Sequence, residues 1–343
     1  MKKLFTILIC LPLFTFGQQT INASITHGGL QRDYILYIPA SYSIETEIPL
    51  VFNFHGYTSN AFQQMVYGDF RTISDTEGFI IVHPEGTLDN SGTSHWNLGW
   101  GGSTVDDIGF TSALIDSISA EYNINLSRVY STGMSNGGFM SYQLACELSD
   151  RIAAVASVTG SMITGRFNSC SPKHQMPVMQ IHGTLDPTVS YNASSNTESI
   201  PDIMNYWANF NNCNSTPIIT NVPDINTTDG CTAEHQIWEN GTNGATAEHY
   251  KIIDGEHSWP GAVFPNGTTN QDINASEKIW EFFNKYDING LISTTSTNNI
   301  TNEKSHKLIK IIDLLGRETN YNSNTPLFYI YDNGTVDKRI ITE

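Results

Sequence analysis

Basic residues are scarce in this sequence: 17 lysines and arginines stand against 34 aspartates and glutamates, for a net charge of −17 over 343 residues. A chain so acidic repels a polyanion, which excludes nucleic acid as a partner, and its surplus charge reads as a solubilising surface for contacts with neutral groups. Long apolar runs are nearly absent. The one that stands out, residues 4–16, follows Lys2 and Lys3, is broken by Pro12 and ends at Gly17. It is too short to span a bilayer as a mature helix, so residues 1–17 read as a signal peptide and no stable membrane insertion is expected. Cysteines number only five, and Cys10 belongs to the leader, without the small residues before it that lipid attachment would want. The remaining Cys146, Cys170, Cys213 and Cys231 form an even set in an exported chain, so two disulfides are expected. Of three possible pairings, Cys146 with Cys170 and Cys213 with Cys231 asks least of the topology and would contribute roughly 3 kcal/mol per bond. Metal-ligand spacing is missing as well: His55, His83, His182 and His257 all follow strand-like runs, but none stands in a His-x-x-x-His pattern, so no metal or other cofactor is expected.

What the sequence does have is a sizeable apolar fraction, 39%, enough for one large domain with small appendages. Strand-like runs at 34–38, 50–54, 79–83, 128–132, 155–159, 178–182 and 250–253 alternate with helical patterns. Several are apolar without alternation, as strands covered on both faces are. Ile108, Thr111, Ile115, Ile118 and Tyr122 recur at helical spacing, as do Ile273, Trp280 and Phe283. The expected fold class is α/β, a mostly parallel central sheet with helices on both faces over residues 18–290, plus a small C-terminal β unit. Residues 291–303 are rich in Ser, Thr and Asn and read as a linker. Residues 304–343 read as strands around tight turns, the Asn333-Gly334 pair favouring a hairpin. Through Lys310-Ile311-Ile312-Asp313-Leu314-Leu315-Gly316-Arg317 and Phe328-Tyr329-Ile330-Tyr331-Asp332-Asn333-Gly334 this tail resembles the C-terminal sorting domain of the type IX secretion system. That resemblance implies export by the type IX machinery, often with removal of the tail. The competing reading is a small β module that binds polysaccharide or polymer.

Gly133-Met134-Ser135-Asn136-Gly137 directly follows a strand-like run and opens a helical stretch. A serine hydroxyl is a poor nucleophile unless a sharp turn holds it where a base can reach it and backbone amides can receive the oxyanion. The flanking glycines leave room for that turn. In isolation the pattern is common, and the strand–turn–helix context selects it. Asp186, in His182-Gly183-Thr184-Leu185-Asp186-Pro187, sits in a turn where a carboxylate could fix the tautomer of an imidazole; taken singly it is a turn residue before proline. His257, in Asp254-Gly255-Glu256-His257-Ser258-Trp259-Pro260-Gly261, follows the last strong strand. What lifts the three together is their order, Ser135 then Asp186 then His257, each after a strand, which is the order of the α/β-hydrolase fold. Asp106 and Asp107 precede the serine and read as helix N-terminal residues or supports of a nearby loop.

An oxyanion hole needs two amides. The N–H of Asn136 is one, and the turn after an early strand offers that of Tyr57, with Thr58 as second choice and His55 as a structural residue beneath. Tyr57, Trp96, Trp100 and Trp259 crowd the same edge as candidate substrate-binding aromatics, Trp259 foremost, although tryptophans beside Gly and Pro also pin loops.

The motifs Gly29-Leu30-Gln31-Arg32-Asp33-Tyr34-Ile35-Leu36-Tyr37, Val105-Asp106-Asp107-Ile108-Gly109-Phe110, Gly133-Met134-Ser135-Asn136-Gly137-Gly138 and His257-Ser258-Trp259-Pro260-Gly261 together resemble the secreted polyhydroxybutyrate depolymerase and feruloyl esterase group. The resemblance implies an α/β-hydrolase with Ser135, Asp186 and His257 as its triad, acting through an acyl-enzyme on feruloyl, acetyl or aryl esters or on hydroxyalkanoate polyesters. The Gly56-Tyr57-Thr58 turn also resembles that of polyester hydrolases, which extends the expectation to aromatic polyesters. The expected protein is a secreted monomer whose ester substrate is small or polymeric. Two other classes compete: a non-catalytic glycan binder on the same scaffold, which the loop tryptophans would serve, and a peptidase.

Overall fold

Strands without polar alternation build the centre of the molecule. In β3 (Ile48–Phe54) and β4 (Ile80–Pro84) every residue is buried, and the side chains take turns facing two separate cores. Leu50, Phe52 and Phe54 enter one core while Val51 enters the other. The computed structural model describes residues 17–292, 308–313, 317–319, 327–331 and 336–339, which fall into two compact units divided between 292 and 293.

In the first unit, β1 (Gln19–His27), β2 (Leu30–Ile38), β3 and β4 are followed by a short hairpin of β5 (Thr87–Leu88) and β6 (Ser94–His95). Then come β7 (Ile124–Met134), β8 (Ala154–Val158), β9 (Val178–Gly183), β10 (Ile218–Asn221), β11 (Thr232–Trp238) and β12 (Ala247–Ile253). Ten of these strands form one sheet in the order β1-β2-β4-β3-β7-β8-β9-β12-β11-β10. The segment from β4 to β12 is parallel throughout, and both margins are antiparallel. Helices α3 (Asp107–Glu121), α4 (Asn136–Glu147) and α6 (Ile200–Phe210) cover one face through Phe110, Leu114, Met140, Leu144 and Trp207. On the other, α7 (Ala275–Phe283) packs Ile279, Trp280 and Phe283 beneath the sheet, next to α2 (Arg71–Glu77). The short α1 (Ala61–Tyr67) and α5 (Thr164–Phe167) sit in loops, and a small pair of strands, β13 (Tyr286–Asp287) and β14 (Gly290–Leu291), closes the unit.

The expected α/β class and mostly parallel sheet are found, and all seven strand-like runs overlap observed strands. The sequence reading missed β1, β10 and β11. They are margin strands with little continuous apolar sequence: β1 alternates half-buried with exposed residues and β10 is exposed along its length. In the second unit, β15 (Leu308–Ile312), β16 (Leu327–Tyr331) and β17 (Val336–Arg339) form an antiparallel sheet. Ile330 faces Val336 across the last pair, while the Asn333-Gly334 turn between them lies outside the described residues. The leader 1–17 and the linker 291–303 also lie outside them, apart from residues 17, 291 and 292.

One disulfide expectation needs correction. Cys146 is bonded to Cys170, tying the end of α4 to the loop after α5, but Cys213 and Cys231 are free. Topology separates them: Asn214 is bonded to Glu239 at one end of β11, and Cys231 precedes the other end. Seven residues of strand hold these positions about 20 Å apart, far beyond disulfide reach. In a chain lacking the first 17 residues, a thiol titration in denaturant without reductant is therefore expected to find two reactive thiols per chain; finding none would contradict this pairing.

Candidate active site

The loops that leave β3, β7, β9 and β12 all emerge at the C-terminal edge of the parallel segment, where open α/β sheets present their ligand sites. Ser135 stands between β7 and α4 at φ 54° and ψ −118°. That conformation is costly for a residue with a side chain, on the order of 1–3 kcal/mol. The surroundings hold it there: its N–H donates to the Val158 carbonyl at 2.8 Å, and its carbonyl accepts from Phe139 as α4 begins. The flanking glycines are required by contact rather than by φ. A Cβ at Gly137 would collide with the Phe54 carbonyl, and one at Gly133 would lie 2.6 Å from it.

Beside Ser135 lies the turn after β3, with the Cβ position of Gly56 only 3.4 Å from the Ser135 Cβ. His55 is fully buried, and burial pushes its pKa down to about 4, so the ring is neutral. Its Nε2 accepts from the Gly86 N–H at 2.9 Å, which leaves Nδ1–H to donate to the Gly56 carbonyl at 2.7 Å. Ser59 N–H donates to the same carbonyl. A trans peptide carries its C=O and N–H on opposite sides, so fastening the Gly56 carbonyl fixes where the Tyr57 N–H points. Among the described residues that N–H has no acceptor, whereas the Thr58 N–H is already given to the Ser94 carbonyl at 3.0 Å. Thr58 is thereby removed as an alternative oxyanion donor. The Asn136 N–H, in the first turn of α4, has no acceptor within its helix. Its side chain is locked: Oδ1 accepts from the Trp96 N–H at 2.6 Å.

After β9, Asp186 is fastened from several directions. Oδ1 accepts from the Thr188 and Val189 N–H groups, each at 2.8 Å; Oδ2 accepts from His257 Nδ1 at 2.7 Å and lies 3.3 Å from His182 Nε2. Burial alone would raise its pKa, but the hydrogen bonds from His182 and His257 prevail and hold the carboxyl well below its usual range. His182 is set by Gln180, whose Nε2 donates to His182 Nδ1 at 2.9 Å and whose Oε1 accepts from Tyr142. His257 and Ser135 line one cleft of about 630 Å³. With Nδ1 engaged by Asp186, Nε2 is the ring nitrogen left for other work.

The four aromatic candidates divide. Tyr57 is half exposed, lines the cleft and donates its hydroxyl to Asp89. Trp100 is exposed but packs on Phe139, outside the cleft lining. Trp96 and Trp259 are buried and cannot be substrate contacts. Trp96 bonds the His55 carbonyl through Nε1, and Trp259 fills the space left by Gly68, with its backbone N–H on the Tyr67 hydroxyl. Both hold loops that carry site residues. Sequence reasoning missed the apolar wall formed by Phe62, Val66, Tyr67 and Phe264, and missed His182 as a second partner of Asp186. The short apolar α1 was the available signal for that wall. Asp106 caps α3, and Asp107 accepts from the Asn97 N–H at 2.7 Å, so both serve the supporting roles expected of them.

Residues 32–215, more than half of the chain, match the family described as Esterase PHB depolymerase. The chain belongs to that esterase family. The match runs from Arg32, the buried partner of Asp107, through Ser135 and Asp186, and stops short of His257. The bifunctional acetylxylan esterase/xylanase XynS20E of Neocallimastix patriciarum is 27% identical over 277 residues, covering 81% of this chain and 36% of that protein. The probable feruloyl esterase C of Aspergillus terreus is 30% identical over 184 residues, 52% of this chain and 60% of that protein. The chain thus spans less than two thirds of either relative. Among solved structures, the acetyl xylan esterase from Aspergillus awamori is 15% identical at a TM-score of 0.51, covering 77% of this chain and 99% of the other. A ferulic acid esterase from Anaeromyces mucronatus is 14% identical at 0.50, covering 80% and 92%. At such identities these two speak to the fold of the esterase alone.

Buried histidines give the fold an acid limit. His55, His83 and His249 are all held neutral by burial, at about 4, 3 and 3 against an ordinary value of 6.5. Depressed values mean that the unfolded chain binds protons first, so stability is intact above pH 6.5 and is lost as pH falls toward the folded values. Three such groups give a slope of about 4 kcal/mol per pH unit near pH 5. Denaturant midpoints measured from pH 7 to 5 are expected to fall accordingly, and a flat profile would contradict it.

Proposed function

We propose that this protein is an exported serine carboxylic-ester hydrolase in which Ser135 is the nucleophile, His257 the general base and Asp186 the residue that orients it. The observation that carries the reading is the Asp186–His257 hydrogen bond at the mouth of a cleft that His257 shares with a strained Ser135. In this mechanism His257 Nε2 takes the Ser135 proton as Oγ attacks the ester carbonyl. The developing oxyanion is received by the N–H groups of Tyr57 and Asn136, neither of which must break another bond to do so. Collapse of the tetrahedral adduct expels the alcohol, protonated by His257, and leaves an acyl-enzyme that water hydrolyses by the same route in reverse. Asp186 stays ionised throughout, stabilising the imidazolium without taking its proton.

Membership in the esterase family and relatives named as acetylxylan and feruloyl esterases support an ester of acetyl or hydroxycinnamoyl type. The apolar wall of Phe62, Val66, Tyr67 and Phe264 suits an acyl group with an aromatic or aliphatic body. Hydroxyalkanoate and aromatic polyesters fit the same chemistry as alternative substrates. Export rests on residues 1–17 as a leader and 304–343 as a type IX sorting tail.

Ser135→Ala is expected to lower kcat on p-nitrophenyl acetate by about a millionfold, and Asp186→Ala by about ten-thousandfold, in line with triad losses elsewhere. Retention of most activity by the serine variant would end the proposal. Because the Asp186 carboxyl is held well below its usual range, kcat/KM measured from pH 6 to 9, above the acid limit of the fold, is expected to show at most one acid step; two separable acid steps in that range would contradict the proposal.

A further inference from the structure

Asp186 is held by more than the turn it begins, and the extra hold starts on the helix that follows Ser135. Tyr142 lies on α4 seven residues beyond Ser135, about 10 Å along the helix axis. Its hydroxyl donates to Gln180 Oε1 at 2.6 Å. Gln180 Nε2 donates to the Gly160 carbonyl at 3.0 Å and to His182 Nδ1 at 2.9 Å. His182 Nε2 in turn lies 2.8 Å from the Val189 carbonyl and 3.3 Å from Asp186 Oδ2. All three side chains of this chain of bonds are buried.

Two backbone carbonyls leave the chain one arrangement of protons. A carbonyl only accepts, so the end of Gln180 that faces Gly160 is its NH2 group and the end that faces Tyr142 is its oxygen. The second hydrogen of that NH2 group meets His182 Nδ1, which therefore accepts. The ring then carries its proton on Nε2, where the Val189 carbonyl also requires a donor. That hydrogen closes the Asp186 turn from outside. Val189 gives its N–H to Asp186 Oδ1 and its carbonyl to His182, while His182 Nε2 also stands against Oδ2, the oxygen that accepts from His257 Nδ1. The carboxylate is thus kept in one plane, with Oδ1 turned to the backbone and Oδ2 to the two imidazoles. Packing alone would be met by apolar side chains at positions 142, 180 and 182, without the cost of burying their polar groups.

We propose that Gln180 and His182 are positioning residues for ester cleavage: Gln180 imposes the Nε2–H form on His182, and His182 fixes the Asp186 carboxylate at the angle from which it orients His257. The inference rests on the esterase reading and adds to it a buried relay that runs back to the helix of the nucleophile.

Turnover of p-nitrophenyl acetate by the full chain tests the relay, with kcat and KM separated and melting temperatures measured beside them. His182→Leu is expected to lower kcat at least about tenfold, the scale of a lost hydrogen bond to a charged group, with KM changed less than about twofold. His182→Gln, whose amide can offer an N–H near the place of Nε2, should recover most of that loss. Gln180→Met keeps the volume and removes the amide, and should lower kcat at least about threefold. The double variant should fall no further than His182→Leu alone, because the two residues act in series. Losses that add and follow the melting temperature, with His182→Gln no better than His182→Leu, would mark a merely structural pair and overturn the proposal, as would smaller losses of kcat than these. If His182→Leu does not fold, Gln180→Met decides by the same limit. Ser135→Ala, run beside them, separates the two readings: if it is inactive while the relay variants keep their kcat, the relay alone falls, and if it matches the wild type, the esterase reading falls and the relay with it.

Discussion

The close approach of α4 to the end of β3 is the constraint on which the rest of the site depends. Gly133 and Gly137 let the helix come down so far that the Phe54 carbonyl occupies the space their side chains would need. Because of that approach, the turn between strand and helix has nowhere to go but through the strained conformation of Ser135, and the loop after β3 lies against the serine. Two N–H groups with no acceptor among the described residues, of Tyr57 and Asn136, belong to the two turns that this contact brings together. Strain of a few kcal/mol at one residue is tolerable because the sheet on one side and the helix on the other over-determine the backbone.

Around this point the polar groups divide into two kinds. Buried histidines act as fasteners: His55 fixes the Gly56 peptide, and His182, oriented by Gln180, helps to hold Asp186. Asp186, by contrast, is a charge kept buried because it accepts from backbone and imidazole donors at once. The desolvation that would otherwise neutralise it is offset by those bonds, which also leave it one geometry. His257, its Nδ1 held by Asp186, has a side chain 15% exposed at the edge of the cleft.

Much of this was legible in the sequence because parallel strands buried on both faces are continuous apolar runs, and because turns that must carry Gly, Ser, Asp or His at their ends stand out against them. Ser135, Asp186 and His257 were singled out that way as candidates, and the structure brings Asp186 to His257 and places Ser135 in the cleft with His257. What escaped was set by tertiary context. The margin strands β1, β10 and β11 lack apolar runs because water covers part of them. Cys213 and Cys231 are near in sequence but sit at opposite ends of a strand, which spacing alone does not disclose. The tryptophans misled for a physical reason: a large ring also fills the gap under a loop, so Trp96 and Trp259 went inward while Phe62 and Phe264 were left to face the cleft.

The buried Arg32–Asp107 pair shows how far from the chemistry the geometry is set. Both side chains are 1% exposed, Arg32 lies over the Phe110 ring, and the other oxygen of Asp107 accepts from the Asn97 N–H. Asn97 follows Trp96, whose backbone holds the Asn136 side chain, and the same loop runs on to Trp100. A buried pair of this sort adds little net stability, since each charge has lost its water, but removing one partner strands the other at about 3–5 kcal/mol. Its value here is therefore positional. By joining β2, the start of α3 and the loop that begins at Trp96, it holds that loop against the Asn136 side chain, so a shift in the loop would be felt at the turn of Ser135.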